Sequence, residues 1–166
     1  MSMKILLSLS LCLALTQFNP LSAFALEKGE PLPEVQGTTL EGEAFDLSSF
    51  KDGPILLKIG TTWCDACKTQ YEEISNLSDY LKEHNIRFVE VFIQEKAKAV
   101  RKYFSKENGM RPDQVILDNG AIHKALNVYL IPRVILIDKN YRVYRDGSVL
   151  SEDELKQNLA AMLAEG

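Results

Sequence analysis

The sequence predicts an α/β domain: one central mixed β-sheet flanked by helices. Three observations predict it. Apolar runs of strand character alternate with segments whose apolar residues recur at helical spacing, the pattern of a sheet covered by helices on both faces. The runs at 55–59 and 134–137 are almost continuously apolar, as in strands buried on both sides. A short hairpin precedes the last helix, so the sheet is expected to be mixed.

The first 25 residues stand apart. Lys4 supplies a short positive start, residues 5–15 are largely apolar, and Asn19-Pro20 breaks any helix. Ala23-Phe24-Ala25 then places small residues at both ends of a tripeptide. This is the layout of a secretory leader cleaved after Ala25, and the apolar run is short for a permanent membrane span. The expected organisation is a leader at 1–25 and one domain at 26–166. The protein would then work in the periplasm or otherwise outside the cytoplasm. The alternatives are an uncleaved N-terminal anchor and, less well supported by the flanking residues, a lipoprotein using Cys12.

Residues 26–34 are an extended lead-in containing prolines. Segments 35–39 and 43–45 flank Leu40-Glu41-Gly42 as a small hairpin. After the turn at Asp52-Gly53-Pro54, residues 55–59 form a buried strand in which Lys58 is the discordant residue. A long helix should begin near Cys64, because Tyr71, Ile74, Leu77 and Leu81 recur at helical spacing and one turn back from Tyr71 lies Cys67. His84 falls at its end. Residues 86–93 form the next strand. Ala97, Val100 and Phe104 mark another helix, stopped by Asn108-Gly109. A strand at 115–117, a short helix carrying Ile122 and Leu126, and strands at 134–137 and 141–144 around the 138–140 turn follow. Ser151 and Glu154 form a capping box, and Leu155, Leu159, Met162 and Leu163 give the last helix its apolar face.

The chain's 166 residues suit one sizeable core. Its net charge of −4, without a basic cluster, disfavours a nucleic-acid partner. Loss of the leader removes Cys12, leaving Cys64 and Cys67 with only each other to pair with. In an oxidising compartment such a pair persists as a disulfide.

Two intervening residues at a helix start bring two sulfurs within bonding distance. Free N–H groups and the partial positive charge of the helix end favour a thiolate over a thiol, and the thiolate is the reactive form. Cys64, at the helix mouth, is expected to be acidic and accessible; Cys67, one turn in, to be sheltered. Cys64 would attack a substrate disulfide, and Cys67 would then displace the captured sulfur. Two plainer readings compete. A zinc half-site needs two further ligands, and His84 and His123, the available histidines, do not form a second ligand pair. A purely structural disulfide would close a loop too small to restrain the unfolded chain much.

With "WCDAC" after a buried strand, "IPR" before a closing hairpin and Gly147 near that hairpin's end, the chain resembles the thioredoxin superfamily. The N-terminal hairpin, the extra helix and strand at 95–118 and "VFIQEK" make it similar to the ResA/TlpA group of exported thiol–disulfide oxidoreductases. The resemblance covers roughly residues 30–165. It implies a thioredoxin-like fold with a central helix–strand insertion, and Cys64 and Cys67 as the redox-active catalytic pair. It also implies a cis Ile131-Pro132 bond facing the cysteines, where Ile131 offers backbone groups to an extended client segment. Trp63 would shield one side of the disulfide and help dock substrate, or simply pack. Glu95 matches an acidic residue that modulates cysteine protonation or partner choice. No organic cofactor or metal is implied. The implied partners are a disulfide-containing exported protein, with apocytochrome c as the favoured client class, and a membrane-bound thioredoxin-like electron donor; the protein itself would be a monomer. A general disulfide isomerase or oxidase, and a non-catalytic binding module on the same shell, are the alternatives.

Two departures from the group's pattern stand out. Ala66 replaces the proline that many members carry before the second cysteine. Lys58 replaces an acid or amide beneath the cysteines, and a buried lysine needs a partner. One expectation is a Lys58–Glu95 pair that modulates the Cys67 thiolate; the other is a buried stem with its amine reaching water.

Overall fold

The computed structural model describes residues 25–106 and 109–165. The expected leader, apart from Ala25, lies outside the described residues, as does Asn108 of the expected helix stop.

Seven strands form one sheet in the order β2-β1-β5-β4-β3-β6-β7. The expected N-terminal hairpin is β1 (Gln36–Thr38) with β2 (Ala44–Asp46), antiparallel with Thr38 opposite Ala44. A single 3-10 turn at Leu47–Phe50 follows, capped by the Asp46 carboxylate, which accepts the Ser48 N–H at 2.7 Å. The central strand β3 (Ile55–Gly60) is buried along its whole length. It runs parallel to β4 (Arg87–Ile93) and antiparallel to β6 (Arg133–Ile137). β5 (Gln114–Asp118) extends the parallel side, and β7 (Val143–Gly147) completes the other edge. This is a thioredoxin-like α/β architecture with a mixed sheet.

Strand alternation divides the core in two. Ile55, Leu57 and Ile59 point to the face covered by α4 (Ala121–Ala125) and the lead-in residues Leu32 and Val35. Leu56 points to the other face, where α1 (Asp65–Asn76), α2 (Ser78–Glu83), α3 (Ala97–Phe104) and α5 (Glu152–Glu165) pack. An aromatic cluster fixes α1 there. The Tyr71 ring lies 5.9 Å from those of Tyr103 and Phe104 and 6.3 Å from that of Phe88. Such ring pairs contribute roughly 0.5–1.5 kcal/mol each beyond their buried area. The Tyr71 hydroxyl also donates to the Met110 carbonyl. Anchoring Tyr71 sets the height of Cys67, one helical turn earlier.

The capping box forms: Ser151 N–H donates to Glu154 Oε2 at 2.9 Å, and Glu154 N–H reaches Ser151 Oγ at 3.4 Å. Two boundaries differ from expectation. The long helix divides at Leu77, whose N–H is shared between the Ile74 and Ser75 carbonyls in a tightened last turn, so α1 and α2 are separate helices. The closing hairpin's turn extends past residue 140. The Asp138 carboxylate accepts the N–H groups of Asn140 and Arg142, both at 2.9 Å, and Tyr141 takes a left-handed conformation at φ 60°. Tyr141 therefore belongs to the turn, and β7 begins at Val143.

Candidate functional site

The C-terminal end of β3 delivers the chain through Thr61–Thr62–Trp63 to Cys64, the N-cap of α1. Cys64 is extended (φ −84°, ψ 112°), and its sulfur accepts the Cys67 N–H at 3.1 Å. The two cysteines form a disulfide with their α-carbons 5.2 Å apart. Cys64 is partly exposed, while Cys67 is 1% exposed. One sulfur thus faces solvent at a helix N-terminus and the other lies behind it. In the first turn, Asp65 pairs with Lys68 at 2.7 Å, and that hydrogen bond and charge hold its carboxyl below the usual carboxylate range.

Gly60 lets Cys67 approach the sheet. A β-carbon at residue 60 would lie 2.9 Å from the Cys67 sulfur and 3.7 Å from the Lys58 ammonium. Sulfur and ammonium are therefore within about 7 Å of each other, close enough for the charge to act on a thiolate.

The expected Lys58–Glu95 pair does not form, and the amine does not reach water. Lys58 pairs instead with Glu90, and the two side chains are 1% and 0% exposed. The ladder explains the choice: Lys58 and Glu90 are register partners on the parallel strands β3 and β4, so their side chains leave the sheet side by side. Tyr71 and Phe92 flank the ammonium, each ring centroid 5.9 Å away. Glu95 does something different. Its Oε1 accepts both the Thr62 N–H and the Thr62 hydroxyl at 2.9 Å, tying down the loop two residues before Cys64.

Ile131-Pro132 is a cis peptide, and Pro132 is buried at the entry to β6. Ile59 lies opposite Arg133 in the β3–β6 ladder, which brings Pro132 to the sheet end that bears the cysteines. A groove of about 710 Å³ runs beside Pro132, with Tyr129, Leu130 and Gly147 in its walls. Trp63 is 71% and Leu130 79% exposed, so neither is packed into the fold.

Two buried clamps escaped the sequence reading. The Gln70 amide, one turn after Cys67, donates to the Leu150 carbonyl at 3.0 Å and accepts the Leu150 N–H at 2.7 Å, locking α1 to the segment before α5. Arg133, next to Pro132, grips Asp146 through Nε at 2.7 Å and through Nη2, and donates from Nη1 to the Leu126 carbonyl. A polar residue on the buried stripe was the available signal for Gln70; Arg133 and Asp146 meet only through the β6–β7 pairing. His123 hydrogen-bonds the Asp118 carboxylate at 3.1 Å, and among the described residues no group of three or more His, Cys, Asp or Glu side chains is placed to hold a metal ion.

The family model described as Redoxin matches residues 27–163. The chain belongs to the Redoxin family. Its relatives include a thiol-disulfide oxidoreductase ResA from Bacillus thuringiensis subsp. konkukian (strain 97-27), 29% identical over 141 residues, with 83% of this chain and 78% of the relative covered. A thiol:disulfide interchange protein DsbE from Yersinia pestis is 33% identical over 116 residues, covering 66% of this chain and 58% of that protein. Among solved structures, a thiol:disulfide interchange protein of the thioredoxin family from Chlorobium tepidum TLS superposes with a TM-score of 0.69 over 83% of this chain and 98% of its own, at 20% identity, a likeness of fold. With its paired Cys64 and Cys67, this family member is a thiol–disulfide oxidoreductase of the ResA/DsbE type.

Proposed function

We propose that the protein works outside the cytoplasm, after loss of residues 1–25, as a reductant of disulfides in exported proteins. The CxxCH haem-attachment segment of apocytochrome c is its client class. The observation that carries the reading is the asymmetry of the two sulfurs: Cys64 accepts a helix N–H at the surface, while Cys67 is enclosed behind it.

In the reduced enzyme, the same N–H and the α1 dipole favour the Cys64 thiolate. That thiolate attacks one sulfur of the client disulfide, forming a mixed disulfide and releasing the client's other sulfur as a thiolate. Cys67 gives up its proton and attacks the Cys64 sulfur. The Cys64–Cys67 disulfide forms, the second client sulfur leaves, and two electrons have passed to the client. A membrane-bound thioredoxin-like donor restores the dithiol. Pro132 and the Ile131 backbone dock the client's extended segment, and Trp63 covers it from the motif side. Glu95 holds the loop that presents Cys64, and Lys58, with Glu90, tunes Cys67.

The test is trapping with Cys67→Ala in an exporting host. The variant is expected to accumulate mixed disulfides through Cys64 with CxxCH-bearing proteins. Adducts spread evenly over exported proteins together with a strongly oxidising reduction potential would replace the reductant by a general oxidase, and absence of adducts would leave a non-catalytic binding module.

A further inference from the structure

Leu26 is the residue that would follow leader cleavage. Its backbone nitrogen donates to Asp146 Oδ2 at 2.6 Å. From there the chain is tied along β7. Gly29 N–H meets the Val143 carbonyl at 2.7 Å, Val143 N–H meets the Glu30 carbonyl at 2.8 Å, and Arg142 holds the Gly29 carbonyl at 2.7 Å. Ala25, one residue earlier, is exposed and borders the groove beside Pro132. The Asp146 side chain is 1% exposed and is engaged by Arg133 through both oxygens.

We propose that cleavage between Ala25 and Leu26 completes a charged site. The new Leu26 α-ammonium seats on Asp146 and joins Arg133 in bracing the groove wall next to Pro132. The proposal rests on the leader reading. The chemistry is hydrolysis of one peptide bond: water adds across it, Ala25 departs as a carboxylate, and the Leu26 amine takes up a proton. The nitrogen that donated as a neutral amide then donates as a cation to the same carboxylate, which roughly doubles the strength of such a hydrogen bond. The charged groups facing this point are Arg133 from β6 and Asp146 from β7; Arg145, opposite Leu136, lies on the other face of the sheet with α5 and Glu154. Burial lowers the Arg145 guanidinium's affinity for its proton, against support from Asp146 and Glu154. The ammonium is the member nearest solvent, because Leu26 is half-buried and Ala25 exposed. Its repulsion from Arg133 is therefore screened more than its direct contact with Asp146.

An α-amine paired this way titrates above its ordinary range of about 7.7–8.0. Stabilisation from the pair is fully present below that range and is lost as pH rises through the higher folded value. The test compares the chain beginning at Leu26, released from a fusion with no added residue, with the same chain acetylated at its α-amine and with Asp146→Asn. The free amine is expected to be about tenfold less acidic than in an unstructured peptide, as read by pH-dependent amine labelling. The acetylated chain is expected to melt earlier at pH 6.5 and to match the free chain at pH 10. Asp146→Asn is expected to return the amine to its ordinary range; if that variant does not fold, the acetylated chain decides. An amine with ordinary titration and a melting temperature indifferent to acetylation overturns the seat. N-terminal sequencing of the exported protein reads the leader separately: a first residue other than Leu26 overturns the cleavage, and with it the site's formation in the cell, whatever the prepared chain shows.

Discussion

Replacing Lys58 with methionine removes the ammonium behind Cys67 while keeping most of the stem's volume. Two effects of different origin are expected. The first is on stability. Lys58 and Glu90 are almost completely buried, so the full penalty of breaking an enclosed ion pair applies, about 3–5 kcal/mol. The second is on chemistry. At a separation of at most about 7 Å and an effective dielectric of about 20, an ammonium attracts a thiolate by at least about 2 kcal/mol. The Glu90 carboxylate cancels part of that. At 1.36 kcal/mol per unit, the remainder corresponds to a rise of roughly half a unit to one unit in the Cys67 pKa. Lys58→Met combined with Glu90→Leu separates the two effects. Removing both charges is expected to restore the urea midpoint, because an apolar replacement of a buried pair is often neutral or stabilising. The raised thiol pKa is expected to persist. Ultraviolet thiolate absorbance against pH, in reduced protein carrying Cys12→Ser and Cys64→Ser, reads Cys67 alone. If the Cys67 titration coincides in wild type, single and double variants, the pair does not act on the sulfur. If Lys58→Met unfolds at the wild-type urea midpoint, the burial argument is wrong as well.

Three further perturbations follow from the geometry. Gly60→Ala would drive a methyl group to 2.9 Å from the Cys67 sulfur, so a loss of about 1–3 kcal/mol and a shifted reduction potential are expected; an unchanged potential in a glutathione redox buffer would contradict it. Glu95→Ala leaves the Thr62 N–H without its acceptor, for a loss of about 1–3 kcal/mol and slower insulin reduction, whereas Glu95→Gln, which keeps a carbonyl acceptor, is expected to recover part of both. At Asp118, burial raises the carboxyl pKa but is outweighed by the N–H groups of Ile122, Gly120 and His123, so the net shift is downward. Its stabilisation is therefore present above the unfolded value of about 3.9 and lost as pH falls through the lower folded value. Asp118→Asn is expected to flatten the acid limb of a urea-midpoint profile, and an unaltered limb would refute that assignment.

The parts of this molecule that were legible in the sequence are those written in local periodicity. The apolar runs of β3 and β6 and the stripe leading from Cys67 through Tyr71 are patterns within single segments, and they placed the buried cysteine correctly relative to the exposed one. What was illegible depended on backbone hydrogen bonding beyond periodicity. Leu77 satisfies the helical stripe of one long helix, yet a tightened turn there divides α1 from α2. Tyr141 has strand propensity, yet the Asp138 side chain organises a turn that includes it.

The Lys58 error is of another kind. A lysine in a buried strand requires an anion or a route to water, and Glu95 is the candidate partner only because the resemblance places an acidic residue near the active site. That resemblance carries no strand register, and charge partners inside a sheet are chosen by register. Strand 86–93 contains one carboxylate amid apolar residues, just as strand 55–59 contains one ammonium. Two opposite, isolated charges in two buried strands can be tolerated only if the ladder makes them neighbours, because either one alone would be an uncompensated buried ion. The pair therefore constrains the pairing of β3 with β4. A slip by one residue would send Lys58 and Glu90 to opposite faces of the sheet. The same alignment carries Thr62 and Glu95, beyond the two strand ends, into contact beside Cys64. The ion pair beneath the cysteines and the brace in front of them thus depend on a single strand register.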